Sequence, residues 1–282
     1  MLEGKIVNNA DRLVDCHAHI IDPERFPFPI GPGYKPRSDE RGTSEEYCAV
    51  LDRHGISCGV LIQLSGYGTD NEANLATVKA HPGRFKAIIQ IDSGASDKQF
   101  EDLAAGGAVG VRFNLVSYAA DMLSRPDAPR LLQRLKRMQW FAQIYAGDAQ
   151  WPDTAAVLRA SGVRVLVDHL GVVDITGGTR QKGFQTVLAL GREGNAIIKL
   201  SSLFRVSRML EGFDDLDPFV DELLRAFGVD NCVWGSDWPC INVPRHPEYS
   251  ALMTPLERWF PDHADRQRVL ARNPQRLFGF GA

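Results

Sequence analysis

Eight short apolar runs recur along the chain, and each is followed by a stretch of helical character. The runs are LVDCHAHII from Leu13, CGVLIQL from Cys58, KAIIQID from Lys86, AVGVRFNL from Ala108, WFAQIYA from Trp140, RVLVDHL from Arg164, AIIKLSS from Ala196 and NCVWGSDW from Asn231. A nearly continuous apolar run suits a strand of a parallel sheet that is covered on both faces. The intervening stretches are amphipathic. Thr43 followed by Glu46 fits a capping box that opens EEYCAVLDRHG, and several of the other helical stretches end on Gly. Regular strand–helix alternation implies a parallel sheet, and eight repeats point to an α/β fold of the (β/α)8 TIM-barrel type, in one domain over residues 1–282. The runner-up is an open doubly wound sheet. It is disfavoured because no Gly-rich phosphate loop follows the first strand. The segment Asp22–Arg41, rich in Pro and Gly, reads as a loop over the barrel mouth.

Charge and cysteine content remove several function classes. The formal net charge is -3, with no basic patch or polybasic run, so no nucleic acid or membrane partner is expected. No run approaches a bilayer span, and the N-terminus lacks a signal-peptide core. The five cysteines, Cys16, Cys48, Cys58, Cys232 and Cys240, form no CxxC pair and no framework, so reduced thiols in the cytoplasm are expected. Cys240 is read as a packed side chain rather than a nucleophile.

In such a barrel the chemistry lies at the C-terminal strand ends. The first strand ends in D-x-H-x-H (Asp15, His17, His19). Alternation puts His17 and His19 on one face, about 6–7 Å apart, where they can share a metal or a substrate oxygen. The bland alternative is a pair of core histidines satisfied by hydrogen bonds. The sixth run ends in VDHLG, which offers His169 as a third imidazole, and the eighth ends in VWGSDWP with Asp237 at the mouth. An unpaired carboxylate has no place in an apolar core, so Asp237 is a candidate general base or metal ligand. Strands one and eight are neighbours in a closed barrel, so His17, His19 and Asp237 should converge. If an ion is bound, its ligands are His17, His19, His169 and Asp237. Zinc suits that donor set.

HAH after the first strand, DHLG at the sixth and WGSDWP at the eighth together resemble the amidohydrolase superfamily over nearly the whole chain, and within it the 2-pyrone-4,6-dicarboxylate lactonase group. FPF in the first loop, Tyr34 with Pro36, QLSGYGTDN, GVRFN, the Tyr145 strand and NPQRLF carry the same resemblance. It implies a lactone or carboxylate as the small-molecule substrate, opened by water with help from Asp237. His17, His19 and His169 would polarise the carbonyl. Arg112, Arg205, Tyr145, Tyr34 and Ser65 match substrate contacts, with a surface salt bridge for Arg205 and a packed core tyrosine for Tyr145 as the alternatives. The lactonase resembled requires no metal, whereas other superfamily members use one or two divalent ions. No lysine or glutamate stands in an obvious bridging position on the fourth strand, so the site is either metal-free or holds one weak ion.

Three departures bear on the substrate. Tyr118 and Val172 stand where the lactonase group has arginines, and Cys240–Ile241 replaces a His-Pro pair. Fewer cations should weaken binding of a dicarboxylate, which favours a monocarboxylate or sugar-acid lactone. Two rivals remain: a zinc-dependent decarboxylase or hydratase of the same superfamily, and a non-catalytic barrel that serves as a binding protein.

Overall fold

The computed structural model describes residues 12–29, 34–116 and 121–280. All eight apolar runs are strands: β1 (Val14–Ala18), β2 (Cys58–Ile62), β3 (Phe85–Ile89), β4 (Ala108–Asn114), β5 (Phe141–Tyr145), β6 (Arg164–Val167), β7 (Ala196–Ser201) and β8 (Cys232–Gly235). They lie in sequential order in one parallel sheet. Helices follow them, including Ser44–Arg53, whose Thr43–Glu46 capping box forms as its residue spacing predicts. The eight parallel strands make a nearly closed α/β TIM barrel, so the open-sheet alternative is set aside. No described helix is long and apolar enough to cross a membrane.

The seam between β8 and β1 is held by a few specific bonds. The Asp237 amide donates to the His17 carbonyl (2.8 Å), and the His19 amide donates to the Trp238 carbonyl (2.8 Å). Below them, the Asp15 carboxylate accepts from the Ser236 amide (2.9 Å), the Ser236 hydroxyl (2.5 Å) and the Tyr249 hydroxyl (2.9 Å). Gly235 permits the approach: a Cβ there would lie 2.7 Å from the His17 Cβ.

The pairing of β1 with β2 slips between Asp15 and Ala18, so β1 carries one extra residue there. A bulge of this kind re-aims side chains beside active sites. Val14 and Cys16 pack inside the barrel with Val60, Phe141, Leu166 and Phe278. Asp15 meets Tyr249, which belongs to the layer between sheet and helices. Strict alternation, which would group Asp15 with the two histidines, therefore fails: His17 and His19 reach the site and Asp15 serves the wall. Above the apolar floor the inward side chains turn polar. Along β5 they run Phe141, Gln143, Tyr145, and along β7 they run Ile197, Lys199, Ser201.

Candidate functional site

One cavity at the C-terminal end of the barrel is lined by eight of the nine side chains singled out from the sequence: His19, Tyr34, Ser65, Arg112, Tyr145, His169, Arg205 and Asp237. His17, fully buried, lies directly beneath them. Asp237, His169 and Ser202 all follow strand ends with φ between 50° and 64°. Left-handed backbone is uncommon for such residues and concentrates at functional sites. Here Asp237 and His169 line the cavity, and Ser202 donates to Asp237.

Asp237 is the hub. Its Oδ2 accepts from the Ser202 hydroxyl (2.6 Å) and from Arg205 Nε (3.1 Å). Its Oδ1 faces His19 Nε2 at 3.2 Å and His17 Nε2 at 3.5 Å. Burial alone would raise this carboxyl, but Arg205 and the imidazoles outweigh burial and hold it well below its ordinary range. Arg205 also donates to the Ile241 carbonyl, which disposes of the surface salt bridge as its alternative role. Arg112, nearly buried, gives Nη1 to the Gln63 carbonyl (2.9 Å) and lies over the Tyr145 ring. It has no carboxylate partner among the described residues, and its buried Nε has no hydrogen-bond partner there.

Tyr34 lines the cavity, but its hydroxyl donates to Glu40. Glu40 is fully buried and also accepts from the Asn242 amide (2.5 Å), so one carboxylate ties the first loop to the loop after β8. Ser65 accepts from Asn114 Nδ2 at 2.8 Å. All five cysteines are free and buried, and burial pushes the Cys240 thiol well up, in keeping with a packed role. Tyr118 lies outside the described residues.

Sequence reasoning missed a second polar layer. Lys199 is wholly buried, with Nζ 3.1 Å from His17 Nδ1, 3.1 Å from Gln143 Oε1 and 3.3 Å from Asp168 Oδ1. Gln143 Nε2 donates to Asp168 Oδ2 at 2.8 Å. A lone lysine inside the apolar run AIIKLSS is the signal that could have found it, because a buried lysine is rare unless paired.

Two groups of described residues bring ligand atoms within 4.8 Å of one another, as a metal would need: His17, His19 and Asp237, and His17, Asp168 and His169.

Burial lowers the His169 imidazole to about 4, although Asp168 and Asp237 oppose this. The unfolded chain therefore binds a proton that the folded chain refuses between pH 6.5 and about 4. Stability present above pH 6.5 is lost as pH falls through this window, by about 3 kcal/mol for this one group. Urea melts at pH 7 and pH 5 should show wild type losing more stability than His169→Gln. Equal losses would contradict the neutral, buried imidazole.

Residues 14–280 match the sequence profile of the amidohydrolase family. The chain belongs to that family. Its relatives include a 4-sulfomuconolactone hydrolase from Hydrogenophaga intermedia, 29% identical over 270 residues and matched over 94% of this chain and 88% of its own. A 2-pyrone-4,6-dicarboxylate hydrolase from Comamonas testosteroni is 28% identical over 94% of this chain and 89% of its own. Among solved structures, a probable 2-pyrone-4,6-dicarboxylic acid hydrolase from Acinetobacter baumannii with citric acid bound superposes with a TM-score of 0.85. It is 25% identical, and the match covers 95% of this chain and 99% of that one.

Proposed function

We propose that this family member is a carboxylic-ester hydrolase that opens a small organic-acid lactone, with residues 1–282 acting as one catalytic domain. The observation that carries this reading is the asymmetry of Asp237. One oxygen is fixed by Ser202 and Arg205, while the other is left facing two imidazoles and the cavity. A water held at Oδ1 attacks the lactone carbonyl carbon and gives its proton to that oxygen. His17, His19 and His169 surround the position where the carbonyl oxygen gains charge, which is where fixed donors contribute most. The ring C–O bond breaks, and the proton returns from Asp237 to the leaving oxygen.

Arg112 holds the substrate carboxylate in this reading, since it is the buried cation without a carboxylate partner among the described residues. Paired N–H···O⁻ bonds to guanidinium are strong and directional. Arg112→Met should raise KM about 100-fold or more, because two charge-assisted hydrogen bonds are lost, and should change kcat much less. A fall in kcat at constant KM would assign Arg112 to the chemistry instead. Arg205 is already committed to Asp237, which favours a substrate with one carboxylate over a dicarboxylate.

The test of the function itself is hydrolysis with proton release across pyrone, muconolactone and aldonolactone substrates, with and without a chelator. Chelator-resistant turnover supports the reading. No turnover on any lactone, together with stoichiometric zinc in the protein, would favour the second reading, a zinc-dependent decarboxylase or hydratase built on the same imidazoles. The two clusters of ligand atoms are what recommend that second reading. Lys199 occupies the Nδ1 side of His17, so an ion in either cluster would have to be met through His17 Nε2.

A further inference from the structure

His17 belongs to both candidate metal clusters, so the state of its ring decides what the site can hold. A histidine that binds a metal through one nitrogen ordinarily donates the hydrogen on its other nitrogen to a carboxylate or carbonyl. His19 has that arrangement, with Nδ1 2.8 Å from the Ile62 carbonyl oxygen. His17 has the opposite one. Its nearest Nδ1 neighbour is the Lys199 ammonium at 3.1 Å, while the Asp168 oxygen is farther away at 3.5 Å.

An ammonium has three hydrogens and no lone pair. Lys199 has two hydrogen-bond partners, His17 Nδ1 and Gln143 Oε1, and Asp168 Oδ1 lies at ion-pair distance, 3.3 Å. The Gln143 amide must present its oxygen to Lys199, because its nitrogen donates to Asp168 Oδ2. Because the ammonium can only donate and stands nearer to Nδ1 than the Asp168 oxygen does, the lone pair of His17 falls on Nδ1. The neutral ring then carries its hydrogen on Nε2. That atom is buried and has no hydrogen-bond partner among the described residues. It points towards the Asp237 edge of the cavity.

We propose that Lys199 is a positioning residue that fixes His17 as an Nε2–H donor, so that His17 offers a hydrogen to the substrate's carbonyl oxygen and is withheld from metal ligation. The histidines of the H-x-H pair are therefore not equivalent. His19 Nδ1 faces a carbonyl oxygen, whereas His17 Nδ1 faces an ammonium. The assignment of that hydrogen to a substrate oxygen rests on the lactone-hydrolase reading. The ring state and its effect on metal binding do not, and both are measured without substrate.

Nitrogen-15 NMR of the histidine-labelled full-length protein reads the ring directly, with the His17 signals identified by their loss in His17→Gln. The expected result is a protonated Nε2 and an unprotonated Nδ1. A protonated Nδ1 in the wild type overturns the proposal, and this measurement needs no Lys199 variant to fold.

Cobalt(II) titration, followed by its visible absorption, tests the consequence. Lys199→Met removes the donor, lets Nδ1–H turn to Asp168 and frees Nε2. The variant should bind cobalt about 10- to 100-fold more tightly than wild type, the range over which second-layer partners tune metal affinity. Losing a positive charge could raise affinity by itself, so the gain must vanish in the Lys199→Met/His17→Gln double variant. Wild-type affinity equal to that of Lys199→Met overturns the proposal, as does a gain that survives removal of His17. A failed lactone panel with the expected ring state would strike only the choice of substrate.

Discussion

Replacing Asp237 by Asn will lower kcat about 10²- to 10⁴-fold on any lactone this protein opens, while leaving KM nearly unchanged. Asn matches Asp in shape, and its amide oxygen can still accept from Ser202 Oγ and Arg205 Nε. What it removes is the lone pair at Oδ1, the one corner of the carboxylate that faces the imidazoles. A base that acts only as the water attacks is absent from substrate binding, so the loss falls on kcat. The same electrostatics place the acid limb of the kcat/KM profile near pH 4 or below. Arg205 and the imidazoles keep Asp237 ionised there, and burial keeps His169 neutral down to about 4. Steady-state kinetics of wild type and variant from pH 4 to pH 8 check both statements. A kcat within tenfold of wild type would place the base elsewhere in the cavity.

A carboxylate held so far below its ordinary range is a weak base. Proton transfer is most efficient when the pKa of the base lies near the working pH. His19 Nε2 stands 3.2 Å from Oδ1, so the oxygen that faces the cavity has an imidazole beside it. Arg205 is set against Asp237 and Lys199 against Asp168, each at hydrogen-bond or ion-pair distance.

The strands were legible because each is a nearly continuous apolar run, a pattern that parallel sheets impose along their whole length. Eight of the nine candidate side chains share one cavity because position at a strand end, not neighbouring sequence, sets their convergence. The bulge in β1 was not legible. Period-two alternation is all that sequence offers within a strand, and one extra residue separated Asp15 from the histidines it seemed to join. Lys199 escaped for another reason. Its partners Gln143 and His17 lie on two other strands and Asp168 just past a third, so no local spacing announces them. Glu40 was hidden in a loop, where a carboxylate ordinarily faces water. Its burial follows from Asn242, about two hundred positions away.

Asp15→Ala should cost about 3–5 kcal/mol of folding stability and, at the barrel seam, should disable the site as well. The carboxylate is wholly buried and accepts from four donors: the Ser236 amide, the Ser236 hydroxyl, the Tyr249 hydroxyl and the His17 amide at 3.1 Å. Alanine leaves them buried without that acceptor, and each orphaned donor costs about 1–3 kcal/mol where nothing replaces the lost bond. For a chain of this size the melting temperature should fall by roughly 10 °C. The functional loss follows from where the seam lies. Ser236 immediately precedes Asp237, and the Asp15–His17 bond pins the bulge that aims His17. Loosening both edges separates the base from the donors it works with. Asp15→Asn makes the stricter comparison, since its oxygen can still accept from the two backbone amides. It should lose less stability than the alanine variant and retain measurable turnover. If Asp15→Ala melted like wild type yet lost kcat, Asp15 would belong to the reaction and not to the wall.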